Sequence, residues 1–141
     1  MTPLRPFSET LPMLLLKSRE TVMAHFRPIL NTHGLTEQQW RVLRTLDETG
    51  PTTAAGLAKR CVILPPSISR ILRKLKEEGL ISVLRSDSDQ REVEVSLTEE
   101  GRNKVAVIAP EIQAEYQRLH ERIPAADVER LYRILREFSQ E

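Results

Sequence analysis

Cysteine is almost missing from this chain of 141 residues. Cys61 stands alone, which excludes an intrachain disulfide framework and fits a reducing compartment. Aromatic residues make up only 4%, a content common in soluble, helix-rich proteins. No apolar run reaches the roughly 18 residues of a membrane span. The first residues also lack the basic start and unbroken apolar stretch of a signal peptide, so a cytoplasmic location and no membrane contact are expected. His25, His33, His120 and Cys61 show no metal-ligand spacing, and there is neither a glycine-rich phosphate loop nor a nucleophile motif. Enzymatic activity, a metal and a cofactor are therefore not expected.

The net charge of +1 hides an uneven distribution. Between Lys59 and Arg91 lie eight bases and four acids, a balance of +4, which leaves −3 for the remainder. A basic middle between acidic ends suits a chain whose middle alone meets a polyanion. A merely solvated charged face explains the charge equally well, so the pattern of elements has to decide.

Residues 11 to about 30 carry apolar positions Leu11, Leu15, Val22, Phe26, Ile29 and Leu30, which predicts a long amphipathic helix that Pro28 kinks or ends and Gly34 stops. Thr36 and Gln39 form a capping-box pattern opening a second helix, with Trp40, Leu43 and Leu46 or Asp47 following. A third, short helix is expected from near Thr53 to about Cys61. Pro65 and Pro66 open a fourth in the first turn, where a backbone N–H is not needed, and Glu78 and Gly79 close it. Residues 81–85 and 92–97 read as two strands around a polar tip, residues 86–90. Thr98 caps a long helix, interrupted at Pro110, and a last helix follows Pro124 with Val128, Leu131, Leu135 and Phe138 in a stripe.

The fold expected is mainly α with a small β wing, a winged helix-turn-helix with long N- and C-terminal dimerisation helices. It forms one domain over residues 1–141. The DNA-binding lobe spans about 36–98, and the dimerisation helices about 1–33 and 99–141. The terminal stripes are too long and narrow to need only the central unit as cover, which predicts a two-fold homodimer.

On a helix at 100° per residue, Ile68, Ile71, Leu72 and Leu75 share one narrow sector of the fourth helix. Opposite stand Pro66, Arg70, Arg73 and Glu77, flanked by Ser69 on one side and by Ser67 and Lys74 on the other. Arginine and serine are residue types that bond to base edges and phosphates, and small residues permit close approach. An ordinary amphipathic helix with a basic outer face has the same wheel. The short helix before it and the charged hairpin after it favour a helix that enters the major groove while the wing reaches the neighbouring groove or backbone. The expected DNA-binding set is Thr53, Pro66, Ser67, Ser69, Arg70, Arg73, Lys74, Arg85, Asp89 and Arg91. Arg91 is placed in the minor groove and Asp89 holds its guanidinium, unless the two form a simple surface pair.

With these residues placed, nearly all of the chain resembles the MarR family of bacterial transcriptional regulators. The resemblance rests on Gly34, Leu35 and Thr36 with Gln39, Trp40 and Leu43, then on Leu75 and Glu78, Gly79, Leu80 and Ile81. It continues through the wing signature Asp89, Gln90, Arg91, followed by Leu97, Thr98 and Gly101. It departs at Leu64, Pro65 and Pro66, where many members carry an acidic or hydroxyl cap. Within the family, the runs LPMLLLKSRE, FRPIL, LTEQQWRVLR and VILPPSISRIL are most similar to the branch that represses breakdown of homoprotocatechuate and 4-hydroxyphenylacetate.

The resemblance implies a repressor on a palindromic double-stranded DNA operator. It also implies an effector pocket between the dimer helices and the DNA-binding lobe, taking a small aromatic carboxylate such as a hydroxyphenylacetate. Such a ligand needs a cation for its carboxylate and an apolar wall for its ring, which points to Arg19, His25, Trp40 and Arg41. The competing roles are interhelix salt bridges for Arg19 and Arg41 and core packing for Trp40. Cys61 raises peroxide sensing, although a lone cysteine on an apolar helix is more often inert packing. Two alternatives stay open: a regulator of another pathway such as stress or redox response, and a winged-helix module that binds an acidic protein.

Overall fold

A computed structural model of the chain describes residues 3–85 and 93–140. After a short 3-10 turn at Phe7–Glu9, the order is α1 (Leu11–Thr32), α2 (Glu37–Thr49), β1 (Thr52–Thr53), α3 (Ala54–Cys61) and α4 (Pro65–Glu77). Then come β2 (Ile81–Arg85), β3 (Val93–Leu97), α5 (Glu99–His120) and α6 (Ala125–Phe138). The chain divides into two compact units, one of residues 1–26 with 111–141 and one of residues 27–110.

The unit of residues 27–110 holds the core. Leu30, Leu43, Leu57, Leu75, Val95 and Ile108 are all less than 2% exposed. Burying a side chain of this size stabilises by about 1.5–3 kcal/mol. Ile68, Leu72 and Leu75 form the buried stripe of α4, with Ile71 at its half-buried edge. In α2 the buried apolar residues are Val42, Leu43 and Leu46, while Trp40 is half-buried and Asp47 is exposed and paired with Arg44 at 3.3 Å. The capping box holds as expected. Thr36 Oγ1 accepts from the Gln39 N–H at 3.1 Å, and Gln39 Oε1 accepts from the Thr36 N–H at 3.0 Å.

Three expectations need correction. The sheet has three antiparallel strands rather than two, in the order β1-β3-β2, because Thr52 and Thr53 pair with Val95 and Glu94. A segment of two residues has no periodicity to read, although both threonines are β-branched. Neither Pro28 nor Pro110 ends its helix, and both lie inside α1 and α5. Each proline removes a backbone donor at a cost of about 3 kcal/mol. Buried side chains on both sides, Phe26 and Leu30 around Pro28 and Ile108 and Ile112 around Pro110, hold the turns through that cost.

The end of α4, the sheet and the start of α5 meet at one knot. Gly79, at φ 77°, turns the chain out of α4, and the Leu80 N–H returns to the Leu75 carbonyl at 3.0 Å. The Thr98 hydroxyl donates to the Gly79 carbonyl at 2.6 Å and accepts from the Gly101 N–H at 3.1 Å, while the Thr98 N–H donates to the Leu80 carbonyl at 3.1 Å. Gly101 is buried against that carbonyl, and a Cβ there would lie 2.1 Å from the Leu80 oxygen.

The unit of residues 1–26 and 111–141 is bare by comparison. Phe26, Ile112 and Val128 are its buried apolar side chains among the described residues. Leu11, Leu15 and Leu16 of α1 and Leu131, Leu135 and Phe138 of α6 are 40–62% exposed. Rings run through it from Phe26 to Tyr116 at 4.5 Å between centroids and on to His120 at 5.8 Å, and His120 Nε2 lies 2.9 Å from the Tyr132 hydroxyl. His25 Nδ1 meets Glu115 Oε1 at 3.2 Å, and Arg118 Nε donates to Glu115 Oε2 at 3.1 Å. The Arg118 hydrogen bond, with His25 adding to it, holds the Glu115 carboxyl below its ordinary range. The stability this gives is present above the ordinary carboxylate pKa and is lost as pH falls through the lowered value.

Gly101→Ala forces backbone to move at the knot, and overpacking of this kind costs about 1–3 kcal/mol or more. The expected result is a melting temperature lower by roughly 4 °C or more. An unchanged melting temperature would show that the contact yields freely.

Candidate nucleic-acid interface

The face of α4 turned away from the core carries Pro66, Ser69, Arg70, Arg73 and Lys74, all exposed. Its two flanks differ in chemistry. On one side a polar groove is lined by Ser67, Arg70 and Lys74 together with Thr36 and Gln38 from the start of α2. On the other side an apolar groove of about 540 Å³ is lined by Ala54, Ala58, Val62, Leu64 and Pro65, with Ser69 at its edge.

The expected DNA-binding residues have different surroundings. Arg70, Arg73 and Lys74 share the exposed face; Arg70 Nη2 donates to Ser67 Oγ at 3.4 Å, and Lys74 pairs with Glu78 at 3.6 Å. Ser69 donates back to the Pro65 carbonyl at 3.2 Å. Thr53 has a structural task, since its hydroxyl caps α3 by accepting from the Gly56 N–H at 3.0 Å. Arg85 ends β2 and is exposed. Asp89 and Arg91 lie outside the described residues.

The turn from α3 into α4 is held from α2. Val62 has a left-handed backbone, φ 55°, a conformation that costs an L residue about 1–2 kcal/mol. Arg41 grips this turn. Its Nη1 donates to the Cys61 carbonyl at 2.8 Å and the Val62 carbonyl at 3.4 Å, and its Nη2 donates to both Glu37 carboxylate oxygens at 2.7 and 2.8 Å. Both ends of the guanidinium are thus engaged within the lobe. Cys61 is 1% exposed, and its thiol donates to the Arg41 carbonyl at 3.7 Å and to Thr45 Oγ1 at 3.4 Å.

Of the other residues expected at an effector, Arg19 is exposed on α1, and His25, half-buried on the same helix, turns Nδ1 to Glu115. Trp40 is half-buried on α2. Reasoning from the sequence missed Thr36 and Gln38 beside α4, and Val62 and Leu64 at its entrance. The one available signal was the apolar pair Val62 and Leu64 in a turn, outside every core stripe.

A fold of this order, with an exposed basic helix beside a three-stranded wing, defines a winged helix-turn-helix protein. The MarR family profile matches residues 35–93, and the chain belongs to that family. It is 37% identical to the homoprotocatechuate degradative operon repressor of Escherichia coli, over 92% of this chain and 88% of the repressor. Among solved structures it is similar to NadR in complex with 4-hydroxyphenylacetate, at 34% identity and TM-score 0.83, covering 99% of each chain. It is also similar to the repressor CouR bound to a 23-mer DNA duplex, at 25% identity and TM-score 0.86, covering 99% of this chain and 100% of CouR.

Arg41→Ala removes the guanidinium's hydrogen bonds to the turn and to Glu37 and is expected to destabilise by about 1–3 kcal/mol. Arg41→Lys should not restore the loss, because an ammonium cannot span the carboxylate and the carbonyls as the fork does. Thermal melting of the two variants checks this. A wild-type melting temperature for Arg41→Ala would remove the structural role.

Proposed function

We propose that this protein is a sequence-specific transcriptional repressor that binds a palindromic DNA operator as a homodimer and is released by a small aromatic carboxylic acid such as a hydroxyphenylacetate. The observation that carries the reading is α4, whose core stripe is locked while Ser69, Arg70, Arg73 and Lys74 stand exposed together on its outer face. Guanidinium and hydroxyl groups there match base edges, and lysine matches phosphate. The relatives support the chemistry on both sides, with a degradative operon repressor, a complex with 4-hydroxyphenylacetate and a complex with duplex DNA among them. The E. coli relative, a homoprotocatechuate degradative operon repressor, makes genes for breakdown of such aromatic acids the proposed target.

Dimerisation rests on the bare apolar stripes of α1 and α6. Exposed leucines at this density mark an interaction surface, and a second copy buries the same stripes by symmetry. Two copies of α4 then enter successive major grooves when they lie roughly 34–36 Å apart. A ligand that binds better to another spacing lowers operator affinity by that difference. Regulation, not catalysis, is the work proposed. A cytoplasmic location follows from contact with bacterial DNA. No helix among the described residues is long and apolar enough to cross a membrane.

Arg19, exposed on α1, is the proposed carboxylate partner, and the Arg41 guanidinium holds the turn before α4. Burial of Cys61 weighs against the redox alternative.

Two experiments test the reading. In gel shifts, specific binding to a palindromic promoter fragment should survive competitor DNA and weaken steeply with salt. Arg70→Ala should cost about 1–3 kcal/mol and relax specificity, while Lys74→Ala should weaken all sequences alike and reduce the salt slope by about 1. Equal loss on all sequences for both variants would leave base reading without support. By calorimetry, Arg19→Ala should lose binding of 4-hydroxyphenylacetate, and unchanged binding would remove Arg19 from the effector site.

A further inference from the structure

Val62 and Leu64 are 84% and 75% exposed, the two most exposed large apolar side chains of the unit that carries α4. They stand at the entrance to the helix proposed to read DNA, on the rim of the apolar groove that Ser69 also lines. We propose that Val62 and Leu64 are specificity residues that contact the 5-methyl groups of thymines in the operator's major groove. The proposal rests on the reading of α4 as the major-groove helix.

Three features of this end of α4 point to a methyl group and away from a phosphate. The helix opens with Leu64 as its N-cap, without a side-chain hydrogen bond. Pro65 and Pro66 have no backbone N–H, and the next two N–H groups, of Ser67 and Ile68, both return to the Leu64 carbonyl at 3.0 Å. The donors that make other helix starts into anion sites are therefore absent or spent. The groove beyond is walled by Ala54, Ala58 and Pro65, with Lys59 the only charged side chain lining it among the described residues.

The other flank of α4 carries groups that suit phosphate, Lys74, Ser67 and Gln38, around the polar groove beside Arg70. A helix whose flanks differ in this way has one orientation in the groove. Its polar side meets a sugar–phosphate strand, and its apolar side meets base edges. The thymine methyl is the apolar group presented on those edges. The Arg41 guanidinium holds the Cys61 and Val62 carbonyls, so the two apolar side chains flank a turn fixed in advance.

The experiment uses the full chain and a duplex enriched by it from a random pool of double-stranded DNA. Thymines of the enriched duplex are replaced by deoxyuridine one position at a time, which removes the methyl and leaves the pairing edge intact. Losing the burial of one methyl at about 0.8 kcal/mol corresponds to an affinity loss of about fourfold. At one thymine position per half-site the loss should reach about fourfold, and roughly fifteenfold with both halves substituted. Leu64→Ala, or Val62→Gly where the affected thymine faces that residue, should bind the thymine duplex more weakly and become indifferent to the replacement. Leu64 is exposed, so Leu64→Ala should melt as the wild type does, while Val62→Gly relieves the left-handed backbone and should melt no lower than the wild type.

Uracil tolerated at every position, or variants that keep the full sensitivity, would overturn the methyl contact and leave operator binding standing. A pool from which no sequence is enriched would overturn the reading of α4 itself, and this inference with it.

Discussion

Thr98 ties three elements that hold α4 in place, one through its backbone N–H and two through its hydroxyl. It donates to the Gly79 carbonyl at the end of α4 and accepts from the Gly101 N–H in the first turn of α5. The Thr98 N–H donates to the Leu80 carbonyl, continuing the sheet beyond the Ile81 and Leu97 pair. One residue therefore fixes where α4 ends, where the wing begins and where α5 starts. The approach is so close that residue 101 has no room for a Cβ beside the Leu80 oxygen. The threonine and the glycine three residues later are two halves of one contact.

A second constraint acts at the other end of α4. The turn before it carries a valine in the left-handed region, and Arg41 with Glu37 holds the carbonyls of that turn from α2. With its C-terminus tied to Thr98 and its entrance clamped by Arg41, α4 is held within its lobe at both ends. Its exposed face is then free of structural work, which is why Arg73 and Lys74 stand exposed there at the cost of little stability. The asymmetry of the flanks, polar toward Gln38 and apolar toward Ala54, sets which edge of the helix meets which part of a duplex.

Much of the lobe was legible because periodicity and capping are local. The stripe of Ile68, Leu72 and Leu75, the capping box of Thr36 and Gln39, and the stop at Gly79 all depend on residues within a few positions of one another. What escaped depends on distant partners. Thr52 and Thr53 are a strand only because Val95 and Glu94 lie beside them. Pro28 and Pro110 look like helix ends until the buried side chains around them are counted. Arg41 had the right charge for a ligand, but no wheel shows that the end of α3 claims its guanidinium. For the wing tip, Asp89 and Arg91 remain an expectation from the sequence.

The two units divide the labour. One buries nearly all of the apolar core and carries the exposed basic face of α4, while the other exposes leucine stripes that suit a second copy. A repressor of the proposed kind needs both a basic helix and a dimer surface, because a palindromic operator is read by two recognition helices at a set separation. The central claim is that effector and operator are linked through that dimer. The most direct measurement is the dissociation constant for the enriched operator duplex by fluorescence anisotropy, with and without saturating 4-hydroxyphenylacetate or a related hydroxyphenylacetate. The account predicts weakening by a factor of roughly 5–150, the usual range for coupled sites. An operator affinity that stays the same whichever of these acids is present would contradict it.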